Sequence, residues 1–235
     1  MSAQARDNAG NFHSGGFTDN HIWFEHSAPT GTVRMLDIGD ADNCIVQGNV
    51  LQGVATGANA VGIKIFTAAS NTNNILLDGN IIKFNTTAGS GAPKGIVVDP
   101  GAAHDLKNLK ITDNTIECNS VAGSVGLSLA QTAGTLDHVT IEGNHILNCG
   151  GTGLTIAAGP TNVKVGFNDY VNNATDYADS ATSFFDDVIG KNFTFATLPA
   201  AANGSRVYCS DCNATCTAGG ATGRTCFREN GAWIH

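Results

Sequence analysis

Apolar and polar positions alternate along this chain in short runs, and the runs recur. Five segments align without a gap: Asn43–Leu51 (NCIVQGNVL), Asn74–Ile82 (NILLDGNII), Asn108–Ile116 (NLKITDNTI), His138–Ile146 (HVTIEGNHI) and Asn162–Tyr170 (NVKVGFNDY). A weaker sixth copy is Ser14–Ile22 (SGGFTDNHI). Taking the second Asn as anchor gives Asn20, Asn49, Asn80, Asn114, Asn144 and Asn168, spaced by 29, 31, 34, 30 and 24 residues. Three apolar columns run through the copies. Cys44, Ile75, Leu109, Val139 and Val163 stand five before the anchor, and Phe17, Val46, Leu77, Ile111, Ile141 and Val165 three before it. Ile22, Leu51, Ile82, Ile116, Ile146 and Tyr170 stand two after it. The first two columns differ by two positions, which is strand alternation. The jump of five to the third requires a corner at the Asn.

A second element lies between anchors: Gly62-Ile-Lys-Ile, Gly95-Ile-Val-Val, Gly126-Leu-Ser-Leu and Gly153-Leu-Thr-Ile. One period therefore holds about three short strands and no helical pattern. A β-sandwich repeats its strands every 8–12 residues and need not keep register over five copies. The pattern predicts an all-β, right-handed parallel β-helix of about six coils, with like residues stacked at about 4.8 Å. Asn at the corner is expected to take left-handed backbone geometry and to bond its counterparts above and below. The outer column Asn43, Asn74, Asn108, His138 and Asn162 is expected to do the same at another corner.

The expected organisation is a β-helix over 11–175, a connecting segment over 176–192 and a small Cys-containing β segment over 193–235. The acidic stretch Asp176–Gly190 reads as a loop or short helix. The last segment reads as a strand at Arg206–Cys209, a Gly-rich loop, a strand at Thr225–Arg228, an Asn230-Gly231 turn and Trp233. It would close the lower end of the stack. No amphipathic helix precedes Phe17, so the upper cap is expected from further chain or from a partner.

The Asn-cornered coils resemble the right-handed parallel β-helix of the pectate-lyase-like superfamily. The tail, with LPAAANGSRVYCSD, a Gly-rich loop and NGAW, resembles C-terminal segments of bacteriophage tail spikes and tail fibres. The resemblance implies a homotrimer that binds, and often cleaves, bacterial surface polysaccharide, located on a virion or outside the cell. The alternatives are a stand-alone polysaccharide hydrolase or lyase of the superfamily, and a structural stem or adhesin segment of a longer protein.

Composition narrows the partners. Of 235 residues, 24 are Asn and 29 Gly, and only 14% are charged. Ile and Val (31) outnumber Leu (12), which favours strands. A net charge of −8 without a basic stretch argues against nucleic acid and anionic lipid. No run of 18 apolar residues exists, so no membrane insertion is expected. Met1–Gly10 is polar and lacks a signal-peptide core.

Glycoside hydrolysis needs paired carboxylates. The column two before the anchor reads Thr18, Gln47, Asp78, Thr112, Glu142, Gly166 and lies between two inward positions, so it faces outward. Asp78 and Glu142, two coils apart at roughly 9–10 Å, are the candidate catalytic pair, with Asp113 beside them; the alternative, the default for acids on a surface, is that they are solvated carboxylates on a polar face. Thr112 is a candidate for binding a sugar hydroxyl. Trp23, followed by Glu25 and His26, reads equally as a stacking platform for sugar rings and as a residue that packs under an N-terminal cap. Lys83 and Glu117 read as an exposed ion pair. Asp37, Asp40 and Asp42 read as a solvated turn, and Asp99, His104 and Asp105 share a corner loop. No cofactor is implied. Cys209, Cys212, Cys216 and Cys226 fit a zinc set, one or two disulfides, or free thiols, and disulfide or free thiol is preferred because the second pair is stretched. Cys44, Cys118 and Cys149 read as structural.

Overall fold

The computed structural model describes residues 12–27, 33–56, 60–85, 91–101, 103–181, 183–198, 201–218 and 223–235. Each period folds into three strands, and like strands pair in parallel with the next coil. The first sheet contains Phe12–Thr18, Ala41–Gln47, Thr72–Asp78, Leu106–Thr112, Leu136–Glu142 and Thr161–Val165. The second contains His21–Ser27, Val50–Thr56, Ile81–Phe84, Thr115–Glu117, His145–Leu147 and Asp169–Val171. The third contains Val33–Gly39, Ala60–Phe66, Lys94–Asp99, Ala122–Leu129, Gly150–Ile156 and Thr175–Asp179. The register is that of the sequence repeat: Val46, Leu77, Ile111, Ile141 and Val165 are successive partners. All five are buried, as are Leu51, Ile82, Ile116 and Ile146 of the second sheet. Val and Ile suit this stack because a branched side chain packs well on a pleated surface.

The corner between the first and second sheets is held by buried Asn. In the five links from Asn20 to Asn168, each Nδ2 donates to the Oδ1 of the next coil's Asn at 2.9–3.0 Å. Each backbone N–H in this series donates to the same oxygen at 3.0–3.1 Å. The second Nδ2 proton of Asn49, Asn80, Asn114 and Asn144 reaches a carbonyl of the preceding coil at 2.7–3.1 Å. The amide thus satisfies backbone groups that the corner would otherwise strand away from water. One expectation is corrected here. The left-handed residue is the one before each of the first five anchors: Asp19, Gly48, Gly79, Asp113 and Gly143 have φ between 54° and 70°, whereas the anchors do not have positive φ. The turn is made by Asp or Gly, and Asn follows it to pair the backbone. The outer column takes the expected backbone, with Asn43, Asn74, Asn108, His138 and Asn162 at φ 51–57°, but its side-chain ladder runs only from Asn43 to Asn108; His138 and Asn162 bond Asp137 instead.

The glycines opening the second element have a steric reason. A Cβ on Gly62 would lie 2.5 Å from Ile82 Cγ2 and 2.6 Å from the Gly95 carbonyl, and Gly95 and Gly126 meet Ile116 and Ile146 in the same way. A ladder of glycine on the third sheet makes room for a ladder of isoleucine on the second.

The acidic stretch after Tyr170 is strand, not loop or helix. Thr175–Asp179 adds to the third sheet, with Tyr177 beside Leu154, and Phe184–Phe193 adds to the first. Pairing against an existing edge overrides the poor alternation of this segment. The remaining tail extends the same sheet: Arg206–Cys209 pairs parallel with Phe184–Phe193, then Arg224–Glu229 and Ala232–Ile234 follow antiparallel. Disulfides join Cys118 to Cys149, Cys209 to Cys212 and Cys216 to Cys226. Cys44 is free and buried, and burial pushes its thiol up to about 11. The described residues contain no helix long and apolar enough to cross a membrane.

Candidate functional site

Side chains of the first sheet that point away from the core form stacked columns, because one register is kept from coil to coil. The column holding the candidate carboxylates is in register as Gln47, Asp78, Thr112 and Glu142. Asp78 is pinned from both sides: Gln47 Nε2 donates to Oδ2 at 2.7 Å, and Thr112 Oγ1 donates to Oδ1 at 2.9 Å. The Glu142 carboxylate has no hydrogen-bond or ion-pair partner among the described residues and leans over Gly166, where a Cβ would lie 3.2 Å from Oε2. Asp113 lies over Gly143, where a Cβ would collide with its Oδ1. The structure therefore gathers Asp78, Thr112, Asp113 and Glu142 along one corner, with Asp78 committed to its neighbours.

Trp23 sits apart, on the second sheet beside Gln52, and is 55% exposed. The side chains of Glu25 and His26 lie outside the described residues, as does Met1–Gly10. Lys83 and Glu117 pair at 2.9 Å as expected. Asp37 pairs with Arg34 at 3.0 Å, and Asp42 accepts from Asn74. Asp40 accepts the backbone N–H groups of Ala68, Ala69 and Ser70. Asp99 accepts from Thr132, and Asp105 pairs with Lys107 at 2.6 Å. Asp40 and Asp99 thus clasp the turn of the next coil. The four tail cysteines are two disulfides, so the zinc option is not the form seen.

One feature escaped the sequence reading. An open depression of about 240 Å3 lies on the outward face of the first sheet, lined by Asn108, Leu109, Lys110, His138, Thr140 and Asn162. Lys110, Thr140 and Lys164 are successive partners. Both lysine side chains are exposed, and their ammonium groups have no hydrogen-bond or ion-pair partner among the described residues. Asp137 stands next to the depression, tied to Thr161 and Asn162 at 2.8 Å and to His138 Nδ1 at 2.7 Å. Partial burial pushes the Asp137 carboxyl up, but these three hydrogen bonds outweigh it and hold the group below the usual carboxylate range. The signal was present in the repeat: the column four before the anchor reads Gly16, Ile45, Leu76, Lys110, Thr140, Lys164. A second missed pair is His145 with Asp169, 2.6 Å apart across adjacent coils.

The stacked parallel sheets define the protein class, a right-handed parallel β-helix with a small antiparallel closing sheet. The chain belongs to the family described as "Periplasmic copper-binding protein (NosD)", whose model matches residues 10–193. No curated protein and no solved structure matches it. Copper is held by converging soft or imidazole donors. Among the described residues, the one group of three or more His, Cys, Asp or Glu whose ligand atoms converge is Cys209, Asp211 and Cys212. Its sulfurs are joined to each other, and it lies outside the matched segment. The described residues do not fit a copper centre as they stand.

Proposed function

We propose that this chain is an extracytoplasmic, tail-spike-like β-helix that recognises bacterial surface polysaccharide along the outward face of its first sheet. The observation that carries the reading is the open depression whose rim is amide, hydroxyl, imidazole and ammonium: Asn108, Asn162, Thr140, His138 and Lys110. Such groups donate to and accept from sugar hydroxyls, and a shallow open trough suits a polymer better than a small enclosed ligand. Three disulfides favour an oxidising compartment, in keeping with the periplasmic description of the family. The tail-spike resemblance adds a homotrimer, which light scattering of the purified chain tests; a stable monomer would contradict it.

Recognition is favoured over cleavage because both Asp78 oxygens are engaged by Gln47 and Thr112. The unpartnered Glu142 keeps hydrolysis as the second reading, with Asp78 and Asp113 as its companions. The deciding experiment uses Thr140→Trp, which fills the depression from an outward position. Binding to immobilised bacterial surface polysaccharides should fall at least tenfold with an unchanged unfolding midpoint. Unaltered binding would refute the location. New reducing ends that vanish in Glu142→Gln would move the assignment from recognition to hydrolysis.

A further inference from the structure

The trough on the first sheet has a charge pattern beyond its hydrogen-bonding rim. The outward column that runs through it is continuous over five coils, with Ile45, Leu76, Lys110, Thr140 and Lys164 as successive partners. Lys110 and Lys164 stand two strand spacings apart, roughly 9–10 Å. Both side chains are exposed, and neither ammonium group is paired among the described residues. Lys83, Lys107 and Arg34, by contrast, are each ion-paired with a neighbouring carboxylate. In a chain of net charge −8, two open ammonium groups in one column mark a local seat for negative charge. The geometry points to an acidic polysaccharide as the occupant, its anionic groups on alternate sugars seated over Lys110 and Lys164; this rests on the trough holding a glycan and adds the class of glycan.

The spacing sets the repeat. An extended glycan laid along the column advances about one coil per sugar, at about 4.8 Å per coil. Groups on every second sugar then meet Lys110 and Lys164, while the sugar between them lies over the Thr140 hydroxyl. An ammonium is a point charge with three donors, so it suits a carboxylate or a phosphate ester. Towards the first coils the same column turns apolar, with Leu76 half-buried and Ile45 43% exposed. That stretch offers contact to the C–H faces of further sugars.

Two carboxylates stand close by without closing the seat. Asp137 is engaged by Thr161, Asn162 and His138, and its charge is shared with Lys107. Glu142 is the next outward position along the Thr140 strand and is not among the residues lining the depression. The lining extends the other way, to Asn108, His138 and Asn162. Glu142 therefore fixes which side of the column the anion takes.

The test measures retention of the full chain on three immobilised polymers. Hyaluronan carries a carboxylate on every second sugar, its carboxyl-reduced form carries none, and a ribitol-phosphate teichoic acid carries phosphodiesters. Hyaluronan should be held at least tenfold more tightly than its reduced form. The difference should vanish in about 1 M salt, where the screening length falls to about 3 Å. Lys110→Gln/Lys164→Gln should bring hyaluronan down to the level of the reduced form with an unchanged unfolding midpoint, and Lys110→Arg/Lys164→Arg should retain it. Lys64→Gln/Lys94→Gln removes the same charge from the third sheet and should leave retention unaltered; an equal loss there would show that net charge acts, not this column, and would overturn the proposal. Tighter retention of the teichoic acid, lost in the same Lys110/Lys164 variant, assigns the anion to phosphate and supports the seat. Equal retention of hyaluronan and its reduced form, still abolished by Thr140→Trp, would overturn the charge assignment and leave a trough for neutral glycans. Retention of none of the three, or retention untouched by Thr140→Trp, would overturn the trough and the acidic occupant together.

Discussion

The coils and the tail solve the same problem in different ways. In the coils, each buried Asn accepts and donates within a ladder that repeats from Asn20 to Asn168, and one disulfide, Cys118–Cys149, joins two neighbouring turns. In the tail no element repeats, and two disulfides stand within residues 209–226. Repetition lets one side chain satisfy the backbone of the next coil, so cohesion grows with every turn. A short segment without that device buries too little to hold itself and needs covalent staples.

The sharpest way to break this contrast is to cut the ladder. Asn114→Ala removes the acceptor of the Asn80 N–H and amide and strands the Leu77 carbonyl. Chemical denaturation should show a loss of about 3–5 kcal/mol, because unsatisfied buried groups cost about 1–3 kcal/mol each. Next is Cys216→Ser/Cys226→Ser, with an expected loss of about 3 kcal/mol confined to the tail. Amide exchange should accelerate there and stay unchanged in the coils; global unfolding would show that the tail holds the stack together. Gly95→Ala should cost about 1–3 kcal/mol by overpacking against Ile116 and the Gly126 carbonyl, read as a lowered denaturation midpoint.

The smallest effect is electrostatic. Partial burial raises the Asp40 carboxyl, but the N–H groups of Ala68, Ser70 and Ala69, together with His104, outweigh it and hold the group low in the folded chain. Its stabilisation is therefore complete above the unfolded value of about 3.9 and is lost as pH falls through the lower folded value. Asp40→Asn should flatten that acid limb of a stability–pH curve. An unchanged limb would show that the carboxylate does not clasp the corner.

How far the sequence could be read follows from these devices. Apolar columns and the Asn stack were legible because strand period and coil period are both written in the residues. Which residue turns left-handed was not: Asp113 and Asn114 are equally suited to it, and only the hydrogen bonds accepted from Asn80 and donated to Asn144 assign the roles. The segment after Tyr170 was misread because its strands owe their form to the edges they join, not to alternation. Of the candidate site, the Gln47–Asp78–Thr112–Glu142 column was legible from register. That both Asp78 oxygens are occupied depends on rotamers, and the depression beside Lys110 depends on the shape of the face, which no linear pattern records.

The most direct measurement is side-chain amide exchange by NMR on a 15N-labelled chain. The account predicts that the Nδ2 protons of Asn80, Asn114 and Asn144 exchange slowly, while those of the exposed pair Asn74 and Asn108 exchange rapidly. Solvent-like exchange at Asn80, Asn114 and Asn144 would contradict the stacked ladder and the coil register built on it.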